Sequence, residues 1–461
     1  MSRKTDEFAD LSFPDAPNIV VKPPGPKAKA LLDKQKQFDS RVLYYPTIIQ
    51  TAWEAGRGAT LRDVDGNTYI DFLAGVSVLN VGHSNPYVVE AVKRQLEKLV
   101  HILDMPTPAR IQLIEKVAEI APEGLRGKSK VLFGGPTGSD AIEAALKIVK
   151  FNTKRHAFLA FHGAYHGMSG GALSVSSKKS YKESYLPLFP DIHFAPYAYC
   201  YRCPFGKEYP ECDMQCVRYV EYLFKDPQTG LAAPAGMVVE AIQGEGGFIV
   251  PPDGYLRELR RICDENKVLM IVDEIQSGFG RTGKMFACEY DGVTPDVMTM
   301  AKAIGGIGIP LSGCIVKNEL DLEPGGHGGT FRGNVLACAA GYAAINFMQE
   351  KSLVERSARE GEHMLERLKD FQQESKTVGD VRGRGLMVAA EIVEDKNTKK
   401  PAVELVSKIQ KRCLERGVLV WNAGHWPNVI RFLPPLVITH EHIDKGLDVF
   451  FDVVKDVERG I

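Results

Sequence analysis

The sequence has no excess of charge of either sign, because 57 Lys and Arg residues face 58 Asp and Glu residues, which leaves a formal net charge of −1. A chain without a basic surplus is not a typical partner of nucleic acid or of an anionic membrane surface. No apolar run is long enough to span a bilayer. The first residues are charged and lack the apolar core of a secretory signal, so we expect a cytoplasmic protein. Nine cysteines in such a chain indicate reduced thiols.

The length of the chain, 461 residues, exceeds what one hydrophobic core usually organises, so we expect two domains of unequal size. Apolar residues make up 44% and charged residues 25%, which is typical of a globular protein. From about residue 130 to 315, short apolar runs alternate with amphipathic segments, a pattern typical of parallel strands connected by helices. The strands predicted from this pattern are 130–133, 156–161, 236–240, 268–272 and 297–300.

The two ends of the chain carry different patterns. Five prolines between residues 14 and 27 indicate an extended, unpacked arm, and residues 58–72 predict a hairpin with its turn at Asp65-Gly66. A long helical stretch at 335–374 precedes mixed strand and helix signals. We therefore predict an α/β fold with an N-terminal arm and part of a small domain (1–75), a large domain with a mostly parallel sheet (76–335), and a C-terminal α+β small domain (336–461).

The strongest chemical signal is an acid and a lysine that follow two of the predicted strands. Asp273 ends the apolar run of residues 269–272, and Lys302 lies 29 residues later among small and apolar neighbours. Ligands of open α/β sheets bind at the carboxyl ends of strands. A carboxylate and a desolvated lysine are the pair with which a pyridoxal phosphate (PLP) enzyme keeps the pyridine ring protonated and holds the cofactor covalently. Taken singly, Asp273 could be a helix cap and Lys302 a solvated side chain.

A glycine-rich segment follows another predicted strand. Residues 134–140, GGPTGSD, come directly after Val131–Phe133 and open a predicted helix. Backbone N–H groups at a helix start, with the hydroxyls of Thr137 and Ser139, form a suitable site for a phosphate. The alternative is an ordinary turn in which Ser139 or Asp140 caps the helix.

Three more side chains are candidates for the site. Tyr165, in FHGAYHG, could stack on a flat ring, or could be a loop aromatic. Arg431 lies inside an apolar strand and needs a carboxylate partner, either in the protein or on a ligand. A planar guanidinium can bind a carboxylate through two parallel hydrogen bonds. Glu245 is one of two carboxylates five residues apart at the end of a further strand.

Four cysteines form a compact group in the sequence. Their spacing is C-x2-C-x8-C-x3-C, from Cys200, Cys203, Cys212 and Cys216. Four thiols in such a segment could bind zinc or an iron–sulfur cluster. The spacing is not a standard one, so reduced thiols of a surface loop are the alternative.

Taken together, these segments resemble the class III aminotransferases, a PLP-dependent family of fold type I. The resemblance runs from about residue 45 to the C-terminus, and its motifs include IVDEIQSGFGRTG, GPTGSDAIEAALK, FHGAYHGM, EAIQGEGG, GGTFRGN and RFLPPL. HILDMPTPAR, FGGPTGSDAIEAALK and HGGTFRGN are most similar to diaminobutyrate–2-oxoglutarate aminotransferases. The N-terminal PPGPKAKALL is more similar to 4-aminobutyrate aminotransferases and to related PLP amino-acid racemases. The four-cysteine segment is not a general feature of the family.

The resemblance implies a seven-stranded, mostly parallel sheet and a role for each matching residue. Lys302 and Asp273 are expected to be catalytic, with Lys302 binding PLP and moving the proton and Asp273 pairing with the pyridine nitrogen. Further cofactor contacts are expected from Gly138, Ser139, Tyr165, Ile275, Gln276 and, from a neighbouring subunit, Thr330. The implied substrate residues are Arg431, which binds the α-carboxylate, Glu245, which acts as its gate, and Arg332.

The implied reaction moves an amino group from a terminal amine, such as that of diaminobutyrate or 4-aminobutyrate, to a keto acid such as 2-oxoglutarate or pyruvate. The active unit would be a homodimer or a dimer of dimers. Racemization of an amino acid on the same scaffold is the alternative, and it requires a second acid or base opposite Lys302. Tyr165, His166 and Asp104 are possible donors for that reaction.

Overall fold

The computed structural model describes residues 6–460, so the first five residues of the predicted arm and the last residue of the predicted C-terminal domain lie outside the described part. Fifteen strands are present in these residues: β1 (Trp53–Arg57), β2 (Thr60–Asp63), β3 (Thr68–Asp71), β4 (Ser129–Phe133), β5 (Phe158–Phe161), β6 (Ile192–Ala195), β7 (Gly236–Glu240), β8 (Leu269–Asp273), β9 (Val297–Met300), β10 (Gly313–Lys317), β11 (Val378–Arg384), β12 (Met387–Ile392), β13 (Val418–Leu419), β14 (Trp421–Ala423) and β15 (Val429–Phe432).

Thirteen α-helices lie in the same residues: α1 (Pro26–Phe38), α2 (Ala74–Ser77), α3 (Pro86–Leu96), α4 (Pro108–Ile120), α5 (Gly138–Thr153), α6 (Gly170–Val175), α7 (Lys179–Lys182), α8 (Gln215–Lys225), α9 (Tyr255–Glu265), α10 (Val335–Glu350), α11 (Leu353–Glu374), α12 (Val403–Glu415) and α13 (His440–Glu458). None of the helices described is both long enough and apolar enough to cross a membrane.

A seven-stranded sheet forms the centre of the chain, in the order β4-β10-β9-β8-β7-β5-β6. Only β10 runs antiparallel to its neighbours, so the sheet is mostly parallel, as predicted. Strands β7 and β8 are almost completely buried and nearly continuous in apolar residues, since helices cover both faces of a parallel sheet. The five strands predicted from the alternating pattern are all present, with ends shifted by at most two residues.

Two smaller four-stranded sheets complete the fold. One joins β1, β2 and β3 from the N-terminal part to β13 from the C-terminal part, and the other contains β11, β12, β15 and β14. The hairpin predicted at 58–72 is present as antiparallel β2 and β3, with its turn between Asp63 and Thr68. The predicted domain boundaries at residues 75 and 335 stay a prediction.

Several local predictions were wrong for identifiable reasons. The proline-rich segment is partly packed, because Ala16 and Pro23 are buried, Asn18 pairs with Thr68 at the start of β3, and helix α1 begins at Pro26. The stretch at 335–374 is two helices, since the chain turns at Ser352 with φ of 47°. Strands β6 and β10 and helix α8 were not predicted.

Arg281 connects the large sheet to the C-terminal segments. Its side chain is fully buried, and its guanidinium donates to Ser77 Oγ and Asn80 Oδ1 and to the carbonyls of Leu386 (3.0 Å) and Pro434 (2.5 Å). Burial lowers the pKa of this arginine to about 9, and no carboxylate hydrogen-bonds to it among the described residues. Four acceptors from three separate segments therefore depend on one cation.

We expect Arg281→Ala to destabilise the protein by about 3 kcal/mol, because two buried carbonyls lose their donor and a cavity remains. The melting temperature of the cofactor-free protein should fall by several degrees. Arg94→Ala, which removes an exposed arginine from α3, serves as the control and should change the melting temperature little. Equal melting curves for the two variants would contradict the structural role of Arg281.

Candidate active site

The candidate site lies where three neighbouring strands of the large sheet end. Glu240 ends β7 and Asp273 ends β8, and the two residues are paired across the strands. Thr299, near the end of β9, is paired with Asp273, and Lys302 follows three residues later. Because the strands are parallel, their carboxyl ends bring these side chains to one edge, where α/β proteins bind ligands.

Asp273 is held in a buried network of hydrogen bonds. It is 5% exposed, and its Oδ2 lies 2.7 Å from His166 Nδ1. Its Oδ1 accepts from Thr299 Oγ1 (3.1 Å) and from the Ile275 N–H (3.0 Å). Burial by itself would lower the pKa of His166, but the hydrogen bond and charge of Asp273 raise it above its ordinary value. The network therefore fixes the position of the Asp273 carboxylate at the cavity floor.

The neighbouring acid in the sequence, Glu274, has a different environment. Its carboxylate hydrogen-bonds to Ser277 Oγ (2.5 Å) and to the Cys288 N–H (2.7 Å), and it does not line the cavity. Successive side chains of a strand point to opposite faces, so only one member of the Asp273-Glu274 pair can face the ligand. Burial raises the pKa of Glu274 to about 7.

Lys302 has the features of a reactive amine. Its backbone lies in the left-handed region, with φ of 53°, a conformation that costs free energy for a residue with a Cβ and is typical of functional sites. In the described chain its Nζ has no hydrogen-bond partner. Burial lowers the pKa of this amine, which increases the fraction present as the free nucleophile.

A cavity of about 480 Å³ brings most of the predicted site residues together. This volume is within the usual range for a cofactor or small-ligand site. The predicted residues that line it are Gly138, Ser139, Tyr165, Glu245, Asp273, Ile275, Gln276 and Lys302. Gln276 Oε1 and His166 Nε2 are buried without a hydrogen-bond partner among the described residues. Both atoms are therefore available for hydrogen bonds to a ligand.

One end of this cavity is the N-terminus of α5. Thr137 precedes the helix, and its N–H donates to Asp140 Oδ2 (2.9 Å), so the capping role belongs to these two residues and not to Ser139. Ser139 Oγ accepts from the Met168 N–H (3.1 Å). A Cβ added at Gly138 would lie 3.1 Å from Ile275 Cδ1, so the backbone is close to the cavity wall there. The helix start can therefore receive an anion at short range.

Glu245 and Arg431 form an ion pair between two sheets, since Glu245 follows β7 and Arg431 lies in β15. Arg431 Nη1 lies 2.5 Å from Glu245 Oε1, and the arginine is only 1% exposed. Burial by itself would raise the pKa of Glu245, but Arg431 lowers it, so the carboxylate stays charged at neutral pH. Arg431 Nε and Nη2 are buried without acceptors in the described chain. Two guanidinium nitrogens, which carry three N–H groups, are thus left without an acceptor, and Glu245 lines the cavity whereas Arg431 does not.

Other predicted residues lie away from this cavity. Neither Thr330 nor Arg332 lines it, and Arg332 O instead accepts from Arg110 Nη1 (3.0 Å). Asp104, a possible donor for racemization, also does not line the cavity. The four cysteines of the C-x2-C-x8-C-x3-C segment surround a separate small cavity.

The sequence did not identify two parts of the site. Glu240 accepts from the N–H groups of Tyr165 (3.0 Å) and Gly244 (2.7 Å), and it fixes both loops beside the cavity. Burial raises the pKa of Glu240 to about 7. A second cavity of about 790 Å³ adjoins the first, shares Tyr165 and Glu245 with it, and is lined by aromatic side chains from separate segments, including Tyr44, Tyr181, Tyr199, Trp421 and Trp426. No local motif marks these aromatics.

Comparisons with known proteins give a consistent result. The family model described as "Aminotransferase class-III" matches residues 45–454. A diaminobutyrate–2-oxoglutarate aminotransferase of Rhizobium meliloti (strain 1021) is 39% identical, with 90% of each chain covered. A leucine/methionine racemase of Thermococcus litoralis is 40% identical over 91% of this chain and 93% of that protein. The PLP-bound crystal structure of an amine transaminase from an uncultivated Pseudomonas species superposes with a TM-score of 0.81 and 28% identity, covering 91% of this chain and 97% of that one.

We expect Gly138→Ala to weaken PLP binding by about tenfold, because the added Cβ narrows the anion site at the start of α5. The dissociation constant would be measured by titrating cofactor-free protein with PLP and following absorbance. Gly170→Ala is the matched control, since a Cβ there meets no atom within 4 Å. An unchanged constant for Gly138→Ala would show that the phosphate binds elsewhere.

Proposed function

The chain belongs to the class III aminotransferases, as its sequence resemblance indicated, and from this premise we propose that it transfers an amino group from a terminal amine to a keto acid. The observation that carries this proposal is the Glu245–Arg431 pair. An aminotransferase must bind two substrates of different charge in one pocket, and a cation with a mobile carboxylate partner can serve both. Family membership also makes PLP the cofactor.

The cavity residues fit this cofactor. A helix N-terminus with a close-approaching glycine suits a phosphate, and a buried carboxylate, Asp273, suits a protonated ring nitrogen. The partnerless Gln276 amide oxygen and the apolar face of Ile275 line the space between them. When bound, PLP supplies an electron sink for the pair released by a broken C–H bond.

Each residue then has a defined task. We propose that Lys302 holds the cofactor covalently and moves a proton at Nζ, for which burial favours the neutral amine. Asp273, oriented by His166, keeps the ring nitrogen protonated. Tyr165 and Ile275 confine the ring. Gly138 and Ser139 bind the phosphate at the start of α5.

We propose that the Arg431–Glu245 pair is intact in one half-reaction and separated in the other. With a terminal amine in the site, Glu245 stays on Arg431 and neutralises it, so that no unpaired cation faces the donor. With a keto acid, the substrate carboxylate takes the free Nε and Nη2 donors and Glu245 moves away. The donors that this arrangement suits are diaminobutyrate and similar ω-amines, and the acceptors are 2-oxoglutarate or pyruvate.

We further propose that the active unit is a homodimer in which Thr330 binds the phosphate of the neighbouring subunit. Thr330 is exposed and does not line the cavity of its own chain, and the adjacent Phe331 is 67% exposed. Sedimentation of the PLP-loaded protein would test the dimer. A monomer with full activity would rule it out.

Racemization is the second candidate, supported by the 40% identity to a racemase. The site offers little for it. Burial raises the pKa of Tyr165 to about 12, which makes its hydroxyl a weaker acid than an ordinary tyrosine. His166 Nδ1 is engaged by Asp273, and Asp104 does not line the cavity. Incubating the enzyme with one L-amino acid and no keto acid separates the two reactions, because racemization alone would remove the optical rotation.

We expect Lys302→Ala to abolish turnover and the visible absorbance of the covalently bound cofactor, since Lys302 is the one lysine among the described residues that line the cavity. Borohydride reduction followed by peptide mapping of the wild type should place the label on residue 302. Lys317→Ala, which removes a lysine paired with Asp296 outside the cavity, is the control. A label on any other lysine would refute the assignment.

We expect Arg431→Ala to raise KM for 2-oxoglutarate by about 10- to 100-fold and to raise KM for an uncharged amine much less. The reason is that only the keto acid has a carboxylate that can form two parallel hydrogen bonds with the guanidinium. Arg431→Lys keeps the charge without the fork and should give an intermediate value. Glu245→Gln should lower KM for the keto acid, since it removes the internal competitor. Equal losses for both substrates in Arg431→Ala would argue against the clamp.

A further inference from the structure

The segment between β6 and α8 differs from the rest of the chain in the placement of its cysteines. Cys200, Cys203, Cys212 and Cys216 lie here, and each is at least partly exposed. The other five cysteines are buried, and none of the nine is in a disulfide. From residue 203 to the start of α8 the segment has neither helix nor strand, so regular backbone hydrogen bonds contribute little to its order.

All four of these cysteines surround one cavity of about 20 Å³. This is the space of a single water molecule or ion, too small for an organic ligand. Cys200 and Cys203 come from a short 3-10 turn (Cys200–Arg202) and the residue after it. Cys212 precedes α8 and Cys216 is its second residue, and the two left-handed residues Asp213 and Met214 turn the chain between them. Two pairs of sulfurs thus approach the same space from two elements.

The surroundings of the cavity suit a closed metal site. The remaining wall is mostly apolar, with Tyr197, Pro204, Tyr209 and Met214 among its residues, and Lys207 adds a positive charge. Arg218 Nη2 donates to the Cys212 carbonyl (2.5 Å).

We propose that Cys200, Cys203, Cys212 and Cys216 bind one zinc ion through four thiolates. Zinc takes four sulfur ligands in structural sites, in pairs separated by two to four residues, as C-x2-C and C-x3-C are here. Each thiol transfers its proton to solvent on binding, so four protons leave and the site carries two negative charges beside Lys207 and Arg218. The bound ion replaces the core that this irregular segment lacks.

The thiols must rotate inward to complete the site. Elsewhere in the described chain, one group of three side chains has metal-ligand atoms within 4.8 Å of one another. It consists of His363, His440 and Asp444, between α11 and α13. That group is already used by ion pairs, since Arg367 Nη1 donates to Asp444 Oδ1 (2.9 Å) and His440 Nδ1 lies 3.0 Å from Glu360 Oε2. No three of the four cysteine sulfurs lie within 4.8 Å of one another in the described chain, so zinc binding must draw these side chains, which border one cavity, closer together.

The position of this site connects it to the catalytic centre. Tyr199 and Arg202, on either side of Cys200, both bind Glu391 of β12, and Arg202 Nε does so at 2.5 Å. Both also line the 790 Å³ cavity beside Lys302. A metal that fixes the Cys200 turn therefore fixes one wall of the space through which substrates reach the proposed active site.

The test is metal analysis of the full-length, PLP-loaded protein, purified without a metal-binding tag from zinc-supplemented medium. We expect one zinc per chain, retained on desalting and released when a mercurial titrates the thiols. Cobalt exchanged for zinc should give the charge-transfer absorbance of thiolate ligands. The double variant Cys203→Ser/Cys212→Ser should contain only background zinc, whereas Cys338→Ala, a buried cysteine in α10, should keep it.

Three results would overturn the proposal. Wild-type protein that is zinc-free after growth in zinc, with four thiols freely reactive, would show that the segment is a plain loop. Stoichiometric iron in place of zinc would assign the cysteines to a cluster. Zinc kept by the double cysteine variant but lost from His440→Asn would place the ion between α11 and α13. Because metal content and thiol reactivity are measured without turnover, failure here leaves the proposed aminotransferase activity untouched.

Discussion

The contact between Asp273 and His166 is the constraint on which the rest of the site depends. Glu240 and Asp273 end adjacent strands, so two carboxylates share a buried edge with little solvent to separate their charges. His166 and two further donors hydrogen-bond to Asp273, whereas burial raises the pKa of Glu240 to about 7. The two acids thus differ, since three hydrogen-bond partners hold Asp273, whereas Glu240 is easily protonated. In the proposed reaction, Asp273 is the acid that faces the protonated ring nitrogen.

The architecture explains why this anion and the reactive lysine meet. Parallel strands place all their carboxyl ends on one edge, and β7, β8 and β9 are consecutive neighbours in the sheet. Lys302 follows β9 by two residues, and its own backbone is in the left-handed region. The proposed substrate residue Arg431 belongs to a strand of a different sheet. Arg281, which bonds to segments on both sides, fixes the relation of the two halves.

Much of this was predictable from the sequence, and the rest was not for physical reasons. Continuous apolar runs predicted β7, β8 and β9 because buried parallel strands need them, and Asp273 and Lys302 stood out at their ends. The antiparallel strand β10 and the edge strand β6 were not predicted, because neither the direction of pairing nor an edge position produces a periodic pattern of apolar residues in the sequence. The role of Glu240 in fixing the Tyr165 loop, 75 residues away in sequence, depends on tertiary contacts. The aromatic wall of the outer cavity likewise combines distant segments.

The N–H donors of Arg431 limit which substrates the proposed site can distinguish. A guanidinium has five N–H groups, and in the described chain Nε and Nη2 have no acceptor while Nη1 binds Glu245. Any substrate with a carboxylate can satisfy the free donors, so Arg431 alone does not separate an ω-amine aminotransferase from a racemase of α-amino acids. In the proposed reaction the discrimination would lie in Glu245. A donor whose amine is far from its carboxylate would enter with Arg431 neutralised, because an unpaired buried cation would repel the incoming ammonium group. A carboxylate whose pKa is lowered by that same arginine is suited to stay in place until an α-keto acid displaces it.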